Sequence, residues 1–277
     1  MTLDAAPLAG VIGHPIAHSR SPQVHGHWLR TMGLRGHYIP MDIHHDDLAD
    51  ALKMLPKMGF VGINVTIPHK EAVLKLADIV TDRASLIGAA NTLIFRPDGK
   101  IHADNTDGYG FLENLKQYAP NWDPASGPAM VLGAGGASRA IVFALLEVGV
   151  PEIFITNRTR IRAEQLQSDF GKKLKVIDWH LASSSMAEAA LVVNTTSLGM
   201  VNHPELNLNL DVLHPGQVVT DIVYNPLETT LLRRAREAGC VTVDGLGMLL
   251  HQAVPGFERW FGARPEVTEA LRIEALK

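Results

Sequence analysis

Apolar and polar positions change rhythm twice along this chain. From Leu8 to about Thr106, short apolar runs alternate with amphipathic stretches. LAGVIG (8–13), GHYIPMDI (36–43), FVGINVTI (60–67), NTLIF (91–95) and KIHADN (100–105) have the length and β-branched content of strands. Helical spacing fits 22–32, 46–57, 69–80 and, further on, 109–118. Pro97-Asp98-Gly99 is a turn signal, so the fourth and fifth strands should form a hairpin. This part reads as an α/β unit with a mixed sheet.

NWDPASGP (121–128) is dense in turn formers and marks a domain junction. Six apolar strands follow with crossovers between them: AMVLG (129–133), EIFIT (152–156), LKVI (174–177), LVVN (191–194), VVTDI (218–222) and VTV (241–243). Such an alternation predicts a doubly wound parallel sheet. From Asp244 the pattern is helical again and has no strand partner left, so it should pack back onto the first domain and make that domain discontinuous. The expected division is 1–108 with 244–277 as one domain and 109–243 as the other, with hinges near 108–110 and 244–247.

Composition narrows the class. The chain has 277 residues, 46% hydrophobic and 19% charged, as in a soluble globular protein. A formal net charge of −4 argues against a general nucleic-acid binder. The start, MTLDAAPLAG, lacks the basic, long-apolar pattern of a signal peptide, and the run 141–150 is too short to span a bilayer. The single Cys240 excludes an intrachain disulfide and fits a reducing compartment, so the cytoplasm is the expected location. The histidines, including His25, His27, His44 and His45, lack metal-site spacing; no metal and no flavin is expected.

VLGAGGASRA (131–140) joins a strand to a helix through Gly133, Gly135 and Gly136. Glycines there permit a tight turn and let backbone N–H groups approach a pyrophosphate at the helix start. The third fingerprint position holds Ser138 instead of glycine or alanine. At the end of the second strand stand Asn157, Arg158 and Thr159, with Arg160 and Arg162 after them. An acidic residue there would take a ribose 2′-OH, whereas a guanidinium takes a 2′-phosphate. The expected cofactor is NADP(H), with Arg158 and Arg162 one helical turn apart.

Near the N-terminus, Ser19 and Ser21 precede Pro22 at a helix start, with Ser21 the natural N-cap. Two hydroxyls and free N–H groups suit a small carboxylate. In NVTIPHKEA (64–72), Pro68 reads as the first turn of a helix, which puts Lys70 at the positive end of the dipole, a poor place for a cation. A solvated side chain would explain it; so would an acid/base group.

The series IGHPIAHSRSP, GINVTIPHK, GAANT, ADNTDGYGF, VLGAGGASRA, TNRT, NTTSLGM, DIVYNP and DGLGMLLHQA resembles the shikimate dehydrogenase family nearly end to end. That resemblance implies reversible, NADPH-dependent reduction of 3-dehydroshikimate to shikimate, on the way to chorismate and the aromatic amino acids. It implies that Ser19 and Ser21 hold the substrate carboxylate. Thr66, Lys70, Asn91, Asp107 and Gln252 would surround the ring hydroxyls, with Tyr224 lining the cleft and Lys70 and Asp107 as the acid/base pair. Gly133, Ala134, Gly135, Gly136, Ala137, Asn157, Arg158, Thr159 and Arg162 would hold the nucleotide, with Thr195, Ile222, Gly245 and Met248 also among the cofactor-binding residues and Gly245 in a motif lining the cleft. Chemistry would then take place between the domains.

One departure is Gly26 after His25, where the family commonly has asparagine. The partner expected is a small-molecule substrate, with no nucleic acid or membrane, in a monomer or homodimer. A quinate/shikimate dehydrogenase-like paralogue is the alternative within the class. A non-catalytic metabolite or nucleotide sensor is the alternative outside it, and would be favoured by loss of Lys70 or Asp107, both of which are present.

Overall fold

The computed structural model describes residues 6–277. The first five, part of the start read above as lacking a signal peptide, lie outside the described residues. The chain divides into two compact units: the N-terminal part up to Thr106 together with Leu250–Lys277, and Asp107–Leu249.

In the first unit, β1 (Leu8–Gly13), β2 (His37–Asp42), β3 (Phe60–Val65), β4 (Ile79–Val80), β5 (Thr92–Phe95) and β6 (Ile101–Asp104) form one sheet of order β2-β1-β3-β5-β6-β4. β5 runs antiparallel to both of its neighbours, β3 and β6, and the remaining pairs are parallel. The hairpin around Pro97–Gly99 therefore forms as the turn signal predicts, with Gly99 at φ +83°. Ile12, Ile63, Leu93 and Leu52 fill the core on one side.

The C-terminal helix Val254–Phe261 packs against β3 and β5. Trp260 donates its Nε1–H to the Leu93 carbonyl at 3.2 Å. A Cβ at Gly62 would lie 2.0 Å from that same nitrogen, so glycine is what lets the indole reach the strand. The last helix, Glu269–Leu276, packs against Ser21–Thr31, and Trp28 Nε1 donates to the Glu266 carbonyl at 2.9 Å.

The helix expected over 69–80 does not form. Pro68 follows a cis peptide bond, only Ala72–Lys75 makes a short 3₁₀ turn, and Ile79–Val80 joins the sheet. Tertiary partners take the backbone groups that a helix would have paired. The Lys70 carbonyl accepts from Ala90 N–H at 2.8 Å, and Asp78 N–H donates to the Ile101 carbonyl at 2.9 Å. Next comes a helix the sequence pattern did not suggest, Asp82–Ile87, capped by the Thr81 side chain and closed by Gly88 in the left-handed region.

In the second unit, β7 (Ala129–Leu132), β8 (Ile153–Thr156), β9 (Leu174–Val176), β10 (Leu191–Asn194), β11 (Val218–Asp221) and β12 (Val241–Val243) lie in the order β12-β11-β10-β7-β8-β9. Every pair is parallel. β7, β8, β10 and β11 are buried at every position, the mark of strands covered on both faces. The strand order reverses direction between β7 and β10, the switch point where such sheets take ligands.

Gly108 and Gly247, expected near hinges, are used for close packing inside this unit. A Cβ at Gly108 would lie 2.9 Å from the Ala140 carbonyl, and one at Gly247 would lie 1.8 Å from Asn114 Oδ1. Among the described residues no helix is long and apolar enough to cross a membrane.

Candidate active site

The substrate-side residues of the first unit gather beyond the C-terminal ends of β1 and β3 and around β5 and β6. Thr66 donates its backbone N–H to the Ile12 carbonyl at 2.9 Å. Its methyl would lie 2.6 Å from a Cβ at Gly13, so that glycine makes room for it. Lys70 is half-buried four residues on. Without a helix there, the dipole argument for its placement falls away; the turn 66–70 positions it instead, with His69 N–H on the Thr66 carbonyl at 2.9 Å. His69 itself is buried and its Nε2 meets the Ile43 carbonyl at 2.7 Å.

The serine pair is built the other way round from the expectation. The N-cap of the helix Ser21–Thr31 is Arg20, which makes no side-chain cap bond, and Ser21 is the first helical residue. Ser19 does the capping: its Oγ accepts the Ser21 N–H at 3.3 Å.

Asn91 is the hub. Its Oδ1 accepts from Thr106 N–H (2.9 Å), Thr106 Oγ1 (3.1 Å) and Thr92 Oγ1 (3.0 Å), and its Nδ2 donates to Gln252 Oε1 (3.1 Å). The single Thr106 hydroxyl proton is shared between Asn91 Oδ1 and the Gln252 carbonyl, which lies closer at 2.8 Å. Asn64 donates Nδ2 to the Asn91 carbonyl (3.1 Å) and Thr92 Oγ1 (3.3 Å), and its Oδ1 accepts from Tyr38 Oη at 2.7 Å. Asn64, Asn91, Thr92, Thr106 and Tyr38 are all buried. A fully bonded network of this kind has fixed geometry.

Sequence reasoning placed Asn91 and Gln252 here but missed Asn64, Tyr38, Thr92 and Thr106. A signal existed for Asn64, the one amide inside the apolar run FVGINVTI. Asp107 follows Thr106 directly, opens the helix Asp107–Tyr118 and is half-buried.

In the second unit, Gly133 sits at φ +108°, and a Cβ there would lie 2.7 Å from Thr195 Oγ1. Thr195 braces this turn from below, with its N–H and Oγ1 on the Leu132 carbonyl at 2.8 and 2.7 Å. Ala134 is buried and Ala137 half-buried, whereas Gly135 and Gly136 are exposed with nothing within 4 Å of an added Cβ. That is an open cradle of backbone at the start of the helix Gly136–Glu147. Ser138 fits the third fingerprint position because its Oγ donates to the Gly135 carbonyl at 2.6 Å inside the turn.

Asn157 ties two loops together, accepting from Ala134 N–H at 3.2 Å and donating to the Thr159 carbonyl at 2.9 Å. Arg158 lies before the helix Arg160–Phe170, whose N-cap is Thr159, and Arg162 lies in its first turn, so the two are not stacked on one helix as expected. Arg160 is ion-paired with Glu164 and Asp178. Arg158 and Arg162 are exposed and have no ion pair among the described residues.

Ile222 donates its N–H to the Asn194 carbonyl at 3.1 Å, and Gly245 approaches so closely that a Cβ would lie 2.3 Å from the Ile222 carbonyl. Met248 is half-buried against the core of this unit, and Tyr224 is exposed. Beneath these loops Asp221 accepts from Val223 N–H, Asn194 Nδ2 and Thr229 Oγ1 at 3.0, 3.0 and 2.8 Å. Burial raises its pKa to about 6 despite those three donors. Asp221 too was missed.

Among the described residues, His44, His45 and Asp46 are the one group whose ligand atoms lie within 4.8 Å of one another. All three are exposed, and Asp46 pairs with both imidazoles.

A parallel sheet of this strand order, with a glycine-rich turn after its first strand and unpaired arginines after its second, belongs to the dinucleotide-binding class. Comparison with known proteins narrows the class. The shikimate dehydrogenase substrate binding domain matches residues 11–93, shikimate / quinate 5-dehydrogenase matches 116–205, and the shikimate 5′-dehydrogenase C-terminal domain matches 245–272.

The shikimate dehydrogenase (NADP(+)) of Roseobacter denitrificans is 65% identical, covering 100% of both chains. That of Cereibacter sphaeroides is 67% identical over 99% of this chain and 98% of its own. Among solved structures, the Thermus thermophilus shikimate 5-dehydrogenase in complex with NADP(H) and shikimate has a TM-score of 0.86 at 37% identity, covering 98% of both chains. The quinate dehydrogenase of Corynebacterium glutamicum in complex with NAD has a TM-score of 0.90 at 33% identity, covering 98% of this chain and 99% of its own. The chain belongs to the shikimate dehydrogenase family.

Proposed function

We propose that this protein reversibly reduces 3-dehydroshikimate to shikimate with NADPH, in the route to chorismate and the aromatic amino acids. The observation that carries the proposal is end-to-end identity of 65–67% with relatives named shikimate dehydrogenase (NADP(+)). The residues present fit the cofactor. The Gly135-Gly136 backbone is open for a pyrophosphate, and Arg158 and Arg162 carry uncommitted positive charge where a 2′-phosphate would lie.

When bound, NADPH supplies the hydride that reduces the substrate's carbonyl carbon. Ser19 and Ser21 take the carboxylate, while Thr66, Asn91 and Gln252 meet the ring hydroxyls, with Tyr224 beside them. As hydride arrives, negative charge develops on the former carbonyl oxygen, and the Lys70 ammonium stabilises and protonates it. In the reverse direction, Lys70, alone or together with Asp107, accepts the hydroxyl proton. Ala134, Ala137, Asn157 and Thr159 shape the nucleotide loops, and Thr195, Ile222, Gly245 and Met248 complete the cofactor-binding set. The enzyme is read as cytoplasmic and as a monomer or homodimer; sedimentation equilibrium decides between those two states.

A second reading draws on the likeness to the quinate dehydrogenase that binds NAD. The test is reduced-nicotinamide absorbance with shikimate or quinate, each with NADP⁺ or NAD⁺. Fast turnover confined to shikimate with NADP⁺ supports the first reading. Comparable rates with quinate or NAD⁺ move the protein to the second, and silence in all four mixtures removes both.

A further inference from the structure

We infer that His44, His45 and Asp46 form a surface site for one divalent transition-metal ion of the zinc type, built by the turn that follows β2. The site lies outside the residues assigned to substrate and cofactor and stands independently of the reaction proposed above.

Linear spacing argues against a metal here, because neighbours in an extended chain point to opposite sides. The fold removes that objection. His44 is extended, at φ −67° and ψ 153°, and His45–Asp47 then turn as a 3₁₀ helix, with Asp47 N–H on the His44 carbonyl at 3.1 Å. That turn brings Asp46 back to both imidazoles. Its Oδ2 lies 3.3 Å from His44 Nδ1, and its Oδ1 lies 2.9 Å from His45 Nε2. One ligand atom from each of the three residues falls within 4.8 Å of the other two. Bonds of about 2.0–2.2 Å around a tetrahedral zinc ion hold neighbouring ligand atoms roughly 3.3 Å apart. Both contacts to Asp46 are already near that spacing, and the exposed imidazoles have room to rotate through the rest.

The base of the turn is pinned on both sides. Ile43 donates its N–H to the Gly13 carbonyl at 3.1 Å, and its own carbonyl accepts from His69 Nε2 at 2.7 Å. The His14 ring stands edge-on to His44, with centroids 5.3 Å apart and 83° between planes, and Asp42 holds His14 Nδ1 at 2.6 Å. Ligands carried on a pinned turn lose less conformational freedom on binding than ligands on a free loop.

The donor set decides the class of ion. Two imidazole nitrogens with one carboxylate suit zinc, nickel or copper, whereas magnesium and calcium prefer oxygen ligands throughout. The Asp46 carboxylate offsets part of the ion's charge, and water completes the coordination at this exposed position. Binding exchanges the two imidazole–carboxylate contacts for bonds to the ion. Each imidazole then offers a lone pair and carries its proton on its other ring nitrogen.

The test is competition for Zn²⁺ between the metal-free protein and a chromogenic chelator at neutral pH. It compares wild type, His44→Ala, His45→Ala, Asp46→Asn and, as control, His37→Ala, an exposed histidine at the other end of β2. A circular dichroism melt confirms that each variant folds. Wild type and control should bind one equivalent with equal affinity, and added Mg²⁺ should not displace it. Each substitution within the site should weaken binding by at least about tenfold, since even loss of an outer-shell partner of a metal ligand costs about tenfold to a hundredfold.

No bound equivalent in the wild type, or displacement of Zn²⁺ by Mg²⁺, would overturn the site. So would undiminished binding in either histidine variant, which would place the ion elsewhere. An Asp46→Asn variant as tight as wild type would reduce the site to a bare pair of imidazoles and overturn it equally. None of these outcomes touches the proposed reaction, which is read by nicotinamide absorbance.

Discussion

On the proposed function, the two units solve recognition in different materials. In the first, neutral side chains converge: Asn64, Asn91, Thr92, Thr106, Gln252 and Tyr38 satisfy one another in a buried net. In the second, the cradle is backbone, with Gly135 and Gly136 open and Arg158 and Arg162 supplying charge at the surface. A hydroxylated ring is told from its relatives by donors and acceptors at fixed places, and a buried polar group left unpaired costs heavily. A phosphate needs charge and N–H groups more than exact fit, so an exposed and simpler device suffices. The difference predicts that substitutions in the first unit strike discrimination and chemistry, whereas those in the second strike affinity.

The largest effect expected is at Lys70. On the proposed mechanism Lys70→Ala removes the proton donor and should lower kcat by about a thousandfold, within the range of general acid–base catalysis. The KM for shikimate should move little, because the lost interaction belongs to the transition state. Steady-state kinetics with both substrates varied separates the two. A rise in KM with kcat intact would make Lys70 part of the binding net and break the distinction between holding and reacting.

Asp221 probes the comparison from the other side, as an ionisable group beneath the second unit's loops. Burial raises its folded pKa to about 6 from the ordinary 3.8. The folded state thus binds this proton more tightly than the unfolded chain. The stability it contributes is fully present below about pH 3.8 and is lost as pH rises through about 6. The amount is on the order of 3 kcal/mol. Asp221→Asn, neutral at every pH, should lack that slope in urea melts run from pH 4 to pH 7. A variant that keeps the wild-type slope would show that another group is responsible.

These sites were not equally legible. β7, β8, β10 and β11 stood out because strands buried on both faces are unbroken apolar runs. The glycine turn and the arginines were legible for a similar reason, since each lies in a short contiguous motif whose chemistry is local. The net around Asn91 was not. Its partners Asn64 and Gln252 stand 27 and 161 residues away in sequence, and only the fold brings them together. The stretch 69–80 misled because amphipathic spacing is blind to backbone partners; the Lys70 and Asp78 main chains bond to Ala90 and Ile101 instead of to a helix. Ser19 and Ser21 were found as a pair, but their capping roles were exchanged: the helix starts one residue earlier than a Ser21 N-cap requires, and Ser19 Oγ accepts the Ser21 N–H.

Arg158 sharpens the affinity half of the comparison. A charge-assisted contact with a 2′-phosphate contributes roughly 1.5–3 kcal/mol, so Arg158→Ala should raise the KM for NADP⁺ by about tenfold to a hundredfold. Turnover with NAD⁺, which lacks that phosphate, should change less than about twofold. Equal losses with both cofactors would mean that Arg158 shapes the loop and does not read the phosphate.

The smallest effect belongs to its neighbour. Arg160 carries the same charge two residues on, yet its guanidinium is committed to Glu164 at 2.8 Å and to Asp178. A cation whose donors are already engaged by two carboxylates has little left for an incoming anion, and at an exposed position the pairs themselves contribute little to stability. Arg160→Ala should therefore leave the KM for NADP⁺ within about threefold of wild type. Pairing, and not proximity to the loop, is what divides these arginines. If Arg160→Ala weakened NADP⁺ as much as Arg158→Ala, the second unit's site would be a diffuse field of positive charge. Salt titration of the two variants distinguishes that case, since a diffuse field is screened by added salt far more steeply than a bidentate contact.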